Sequence, residues 1–133
     1  MKQLLNTFLF VALSLVGIAY AEDAPKQTAA KEISVQQVQL LIDSKVKNVA
    51  ILDANNEDAR KDAGVVKGAI LLTSYNKYGL NELPKDKNTT LVFYCYNSYC
   101  QASNLAAQRA IGAGYKDARV MKAGIAGWNA AKL

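Results

Sequence analysis

The chain contains two cysteines, Cys95 and Cys100, which lie five positions apart within Leu91–Ser103. A cysteine can act as a nucleophile, a redox partner or a metal ligand, and the thiolate is the reactive form in each role. The chain has no histidine, so the commonest general base and the commonest metal ligand are both missing. We therefore expect no metal site and no bound cofactor, and chemistry that depends on the thiols themselves.

Cys95 ends a predicted strand, Thr89–Cys95, which is β-branched and aromatic throughout. The loop Tyr96–Gln101 then leads to a helix predicted over Ala102–Gly114. Inward N–H groups of such a loop, together with the positive end of a helix, stabilise an anion. That anion could be the Cys95 thiolate, an oxyanion or a sulfur group carried on Cys95. An ordinary buried core cysteine fits the spacing equally well.

Cys100 has three interpretations at this point. It could be a resolving thiol that attacks an oxidised or persulfidated Cys95 and closes a disulfide. It could belong to a resting disulfide that shields Cys95 until a reductant arrives, or it could be inert packing. A disulfide requires the two Cα atoms to lie within about 7 Å of each other.

Strand and helix patterns alternate along the chain, with short connections between them. This alternation predicts an α/β protein with a mostly parallel sheet of about five short strands and helices on both faces. Ligands of such sheets bind at the carboxyl ends of the strands, where Cys95 is placed. The other predicted strands are Asn48–Ala54, Gly68–Leu72 and Ala118–Met121, and the other predicted helices start after Ser34, cover Asn55–Gly64 and close the chain, with one helical turn near Asn81–Leu83.

The first residues are typical of a secretory signal peptide. Lys2 precedes an apolar run, and the small-x-small pattern Ala19-Tyr20-Ala21 predicts cleavage after Ala21. No basic stop-transfer cluster follows, so we expect no stable membrane insertion after cleavage. We assign 1–21 to the signal, 22–31 to a flexible leader and 32–133 to one domain that is exported to a periplasm or secreted, an oxidising location for the cysteines.

The formal net charge of +5 falls to +4 on removal of the signal, because only Lys2 is lost. The remaining basic residues do not form a stripe with interleaved aromatic residues, so we expect no nucleic-acid partner.

The order of motifs resembles the single-domain rhodanese family, the sulfurtransferase fold. The resemblance covers Ile33 to the C-terminus, and the cysteine pair resembles an exported subset with a Cys-x4-Cys loop. No single motif is specific, but the ordered set is. The matching residues are Asp53, Glu57, Gly64, Gly68-Ala69, Cys95, Ser103, Ala106-Ala107, Gly114-Tyr115, Gly124 and Trp128.

The resemblance implies sulfur transfer in two covalent steps. Cys95 takes the outer sulfur of a donor such as thiosulfate, becomes a persulfide, and passes the sulfur to cyanide or a thiol, including a protein thiol. Asp53 would order the loop or cap the following helix, and Ser103 would cap its own helix or donate to the thiolate. The backbone amides that would hold the persulfide belong to Tyr96, Asn97, Ser98, Tyr99 and Gln101, with Cys100 between them.

The chain departs from the family pattern at several positions. The usual loop is Cys-x-x-Gly-x-Arg-Ser, whereas Ser103 stands eight residues after Cys95 and the loop lacks Gly and Arg. A poor fit for an anionic donor is one consequence. Rhodanese-fold phosphatases carry Arg six residues after the cysteine, and Gln101 at that position makes phosphatase activity unexpected, because the bidentate clamp on phosphate is missing.

Three functions therefore stand side by side. The first is sulfur transfer through Cys95, the second a thiol-disulfide redox or sensing protein using both cysteines, and the third a non-catalytic binding module. Among neighbouring residues, Tyr94 and Trp128 are expected in the core. Tyr96 and Tyr99 are candidates for the mouth of a pocket, and the turn Lys122–Gly124 is expected to face the site.

Overall fold

The computed structural model describes residues 28–131 and the isolated Gly17. The predicted signal peptide and most of the predicted leader lie outside these residues. Within the described part of the chain, no helix has the length and apolar character needed to span a membrane.

The centre of the fold is a five-stranded sheet in which every neighbouring pair of strands is parallel. The strand order is β1-β5-β4-β2-β3, so that β4 lies in the middle and carries Cys95 directly after its last residue. The predicted α/β class and parallel sheet are confirmed. The strands are β1 (Lys31–Glu32), β2 (Val49–Asp53), β3 (Ile70–Leu71), β4 (Thr90–Tyr94) and β5 (Asp117–Val120).

The strand β1 was not predicted. Lys31, assigned to the leader, pairs with Arg119, and Glu32 pairs with Val120 at the edge of the sheet. Both residues of β1 are exposed, so the strand has no hydrophobic pattern that the sequence could reveal. β1 is recognised as a strand only by its backbone pairing with β5.

The first two helices begin at side chains that cap them. Ser34 and Gln37 form a reciprocal capping box at the start of the first helix, with the Gln37 N–H donating to Ser34 Oγ at 3.1 Å. Asn56 accepts from the Ala59 N–H at 2.9 Å and caps the second. The helices are α1 (Val35–Asp43), α2 (Glu57–Ala63), α3 (Ala102–Gly112) and α4 (Gly124–Ala131), with a 3₁₀ turn at Leu80–Glu82.

Successive residues of β4 supply two separate cores. Leu91 and Phe93 pack in one cluster with α3, while Val92 and Tyr94 pack in another with α1 and α4. This alternation places helices on both faces of the sheet, as predicted. The face of α3 against the sheet is made of alanines, which permit a close approach of helix to strand. These fully buried alanines are Ala106, Ala107 and Ala110.

The connection between β3 and β4 is also anchored in the core. Tyr78 is fully buried and its hydroxyl donates to the Ala106 carbonyl at 2.8 Å. Burial raises the pKa of Tyr78 to about 12, so the hydroxyl stays protonated and keeps its role as donor. The segment Ser74–Asn88, which has a loop-like sequence pattern, is therefore held beneath α3 by a buried side chain.

Candidate active site

Cys95 lies at the carboxyl end of the central strand, with only 1% of its surface exposed. Its carbonyl accepts a hydrogen bond from the Ile125 N–H at 2.9 Å, and its Sγ lies 3.4 Å from Ser103 Oγ. Ser103 is the second residue of α3, so the sulfur sits beside the first turn of that helix. Cys95 therefore occupies the position where a parallel α/β sheet places its chemistry.

Cys95 and Cys100 are joined by a disulfide, with a Cα–Cα distance of 6.3 Å. The loop between them is curled, and the Cys95 Sγ also lies 3.2 Å from the Cys100 carbonyl oxygen. This pairing favours the two redox interpretations of Cys100 over inert packing.

Ser103 faces the sulfur instead of capping α3. Gln101 is the N-cap residue of that helix, and its side chain makes no capping hydrogen bond. Once the disulfide is reduced, the Ser103 hydroxyl can donate to the Cys95 sulfur, and the partial positive charge of the helix end acts in the same direction. Both features stabilise a thiolate relative to a thiol.

Replacement of Ser103 by alanine should make the reduced Cys95 less reactive at neutral pH. Loss of a hydrogen bond to a charged sulfur is expected to raise the pH at which alkylation is half-maximal by about one unit. The measurement is the pH dependence of iodoacetamide alkylation of the Cys100→Ser background. Ser44→Ala, an exposed serine at the end of α1, is the matched control. An unchanged profile in Ser103→Ala would contradict the assigned role.

The loop itself is only partly available as an anion nest. The Cys100 N–H donates to the Asn97 carbonyl at 3.1 Å, and the Tyr99 N–H donates to Asn97 Oδ1 at 3.1 Å. Two amides that were expected to hold a persulfide are thus used inside the loop. Asn97 is the residue that gives the loop its curl.

The two loop tyrosines differ in their environments. The Tyr96 hydroxyl donates to Asp62 Oδ2 at 2.6 Å, and this hydrogen bond raises the pKa of Tyr96. The side chain of Tyr99 is 89% exposed and lines neither of the clefts described below. The expectation of a pocket-lining residue is therefore met by Tyr96 and is wrong for Tyr99.

Asp53 orders the polypeptide beside the site and does not cap α2. Its Oδ1 accepts from the Asn55 N–H, and its Oδ2 accepts from the Tyr94 hydroxyl, both at 2.7 Å. Burial is the main cause that raises the pKa of Tyr94, which keeps that donor protonated. The capping interpretation is wrong because Asn56 fills that role.

Arg60 is a supporting residue that the sequence analysis missed. Its Nε lies 3.5 Å from Asp53 Oδ2, and its terminal nitrogen donates to the carbonyls of Asp53 and Leu72 at 3.0 and 2.9 Å. The guanidinium thus neutralises a fully buried carboxylate and joins β2 to the residue after β3. The pattern of α2 indicated a polar helix and gave no sign that this arginine faces inward.

The first residues of α4 hold the start of the active-site loop, and the turn Lys122–Gly124 that precedes them was expected to face the site. The N–H groups of Ile125 and Ala126 donate to the carbonyls of Cys95 and Tyr96 at 2.9 Å each. Gly124 has φ 65°, and a Cβ there would lie 2.6 Å from the Tyr96 carbonyl carbon. Only glycine permits this approach of the two backbones.

Two clefts meet at Cys100. The small cleft has a volume of about 130 Å³ and contains the cation Lys122, whose Nζ lies 3.4 Å from Glu32 Oε1. The large cleft has a volume of about 340 Å³. Cys95 lines neither. The small cleft is lined by Ala30, Glu32, Ser98, Cys100, Gln101, Ser103, Asn104, Val120 and Lys122, and the large cleft by Ala54, Asn55, Asn56, Ala59, Tyr75, Tyr96, Cys100 and Ala102.

These features define a class: a parallel α/β protein with a buried cysteine between its central strand and the N-terminus of the next helix. The family profile of the Rhodanese-like domain matches residues 34–131. The chain belongs to the rhodanese-like family. The predicted rhodanese fold is confirmed, and the family resemblance drawn from the ordered motifs is correct.

Solved structures agree on the fold. The rhodanese-like domain of an Anabaena protein has a TM-score of 0.59 at 16% identity, covering 75% of this chain and 74% of that one. A protein from Rhodopseudomonas palustris described as a possible tyrosine phosphatase has a TM-score of 0.64 at 20% identity, covering 77% and 82%. Identities this low establish the fold alone.

A third similar structure is a thiosulfate sulfurtransferase from Pseudomonas aeruginosa, with a TM-score of 0.62 at 22% identity. The alignment covers 77% of this chain but only 19% of that longer protein. No curated protein sequence matches the chain.

Proposed function

We propose that this chain is a sulfurtransferase that carries a sulfane sulfur as a persulfide on Cys95. The observation that carries the proposal is the position of the Cys95 sulfur, 3.4 Å from Ser103 Oγ beside the first turn of α3. Membership of the rhodanese-like family supports the same activity.

The reaction begins from the reduced protein. The Cys95 thiolate attacks the outer sulfur of a donor such as thiosulfate, the donor's S–S bond breaks, and sulfite leaves with the electron pair. An acceptor such as cyanide or a thiol then attacks the terminal sulfur of the persulfide, and Cys95 leaves as a thiolate.

A second candidate function is thiol-disulfide exchange without sulfur transfer, and the Cys95–Cys100 disulfide is the observation that favours it. We also propose that the chain is exported, since an oxidising compartment would maintain this disulfide. Phosphatase activity is not favoured, because Gln101 lacks the guanidinium group that would bind a phosphate dianion.

Intact mass spectrometry under non-reducing conditions tests the proposal. The protein is reduced with dithiothreitol, freed of it, and exposed to thiosulfate. The expected result is a mass gain of one sulfur atom that disappears on addition of cyanide. A reduced protein that gains no sulfur, but readily exchanges its disulfide with thiols, would replace sulfur transfer by the second function.

A further inference from the structure

The two sulfurs of the disulfide differ in access. Cys95 is almost fully buried and lines neither of the two clefts described above, whereas Cys100 is partly exposed and lines both. A thiolate opens a disulfide by attacking one sulfur in line with the bond, while the other sulfur leaves. Access therefore favours attack at Cys100.

The two sulfurs also differ as leaving groups. Cys95 Sγ lies beside Ser103 Oγ and the first turn of α3, and both stabilise negative charge on that sulfur. The disulfide-exchange rate rises as the leaving sulfur becomes a more stable thiolate. The accessibility of Cys100 and the stability of the Cys95 thiolate therefore both favour attack at Cys100 with release of Cys95.

The large cleft indicates which kind of thiol arrives. It has alanines and two tyrosines for apolar contact and two asparagines for hydrogen bonds, and none of its lining residues in the described chain carries a formal charge. Its volume of about 340 Å³ accommodates a cysteine with its neighbouring residues, whereas the small cleft of about 130 Å³ does not. These properties fit an uncharged, peptide-like thiol.

We propose that Cys100 is the entry point for a peptide or protein thiol bound in the large cleft, and that Cys95 is the group it releases. The incoming thiolate forms a mixed disulfide with Cys100, the Cys95–Cys100 bond breaks, and Cys95 departs with the electron pair. A second thiolate then attacks the sulfur of the bound thiol, which leaves as part of a new disulfide and frees Cys100. This deepens the proposed function and rests on it, because it names the partner that generates the Cys95 thiolate.

Trapping the mixed disulfide tests this assignment. The oxidised full chain is mixed with an acetylated and amidated Ala-Cys-Ala peptide, quenched with N-ethylmaleimide, and mapped by peptide mass spectrometry. The expected product carries the peptide on Cys100 and the maleimide on Cys95. The reverse placement, an even mixture, or an unopened disulfide at saturating peptide would each overturn the proposal.

Variants of α2 test the role of the large cleft. Ala59→Leu should slow opening by the peptide thiol severalfold while leaving opening by 2-mercaptoethanol unchanged, because only the larger thiol needs the space. Lys61→Leu, an exposed position on the same helix that does not line this cleft, is the matched control. If the peptide thiol opened the disulfide at the same rate in Ala59→Leu and in the wild type, the large cleft would not be its binding site.

The mixed-disulfide experiment can fail or succeed independently of the test of sulfur transfer. Neither experiment contains a sulfur donor, so a protein that forms the Cys100 adduct yet gains no sulfur after reduction would retain this inference and lose the proposed function. A protein that gains sulfur after reduction but exchanges at Cys95 would do the opposite.

Discussion

Replacement of Cys95 by serine is expected to reduce thiocyanate formation from thiosulfate and cyanide to the uncatalysed rate. The Cys95 sulfur is the atom that would hold the transferred sulfur, and a serine hydroxyl cannot form a persulfide. The measurement is the colorimetric rate of thiocyanate production by dithiothreitol-treated protein, with the persulfide mass gain followed in parallel.

Cys100→Ser provides the contrast. Cys100 cannot then form the disulfide, so the variant should take up sulfur without prior reduction, while the wild type requires the reductant. Full activity in Cys95→Ser would remove Cys95 from the mechanism. Equal loss of activity in both variants after complete reduction would favour a function that needs the pair.

Replacement of Gly124 by alanine should have the largest effect of any single methyl group added near the site. The new Cβ would lie 2.6 Å from the carbonyl carbon and oxygen of Tyr96, and φ is 65°. Backbone strain and overpacking together predict a loss of about 2–5 kcal/mol in the free energy of unfolding. Because the clash falls on the loop that follows Cys95, sulfur uptake should fall as well. Urea unfolding and the persulfide assay measure the two effects.

Alanine substitutions at two other glycines distinguish backbone strain from the steric clash. Gly114 has φ 95° and nothing within 4 Å of a Cβ, so Gly114→Ala carries the backbone strain without the clash. Gly112 ends α3 at negative φ in open space, and Gly112→Ala should be neutral or stabilising by about 0.5–1 kcal/mol. A cost for Gly124→Ala no greater than that for Gly114→Ala would show that the close approach to Tyr96 is unimportant.

The sequence was informative wherever burial and local chemistry agree. The strand Thr90–Tyr94 is buried on both faces, and its sequence is a nearly continuous apolar run. Ser34 caps α1 through its own side chain. The strand boundaries differ from prediction by only one or two residues. The edge strand Lys31–Glu32 was missed because its pairing with β5 is set by a partner almost ninety residues away, and no local pattern records it.

The sequence predicted the position of Cys95 but not the residues that surround it. Cys95 could be placed because strand, loop and helix follow one another in the chain. The Asp53–Tyr94–Arg60 interaction joins three elements, and the large cleft depends on Tyr75, which lies in a connection without regular structure. Such contacts are products of packing between distant segments. The exposure of Tyr99 likewise depends on the curl imposed by Asn97, which spacing does not specify.

The disulfide closes a ring of only a few residues, since its two cysteines are five positions apart. The restriction that a crosslink places on the unfolded chain grows with the length of the loop it closes, and for so short a loop it amounts to about 2 kcal/mol. The oxidised and reduced forms should therefore differ modestly in their resistance to unfolding. Opening or closing of this bond should therefore leave the fold of the chain unchanged.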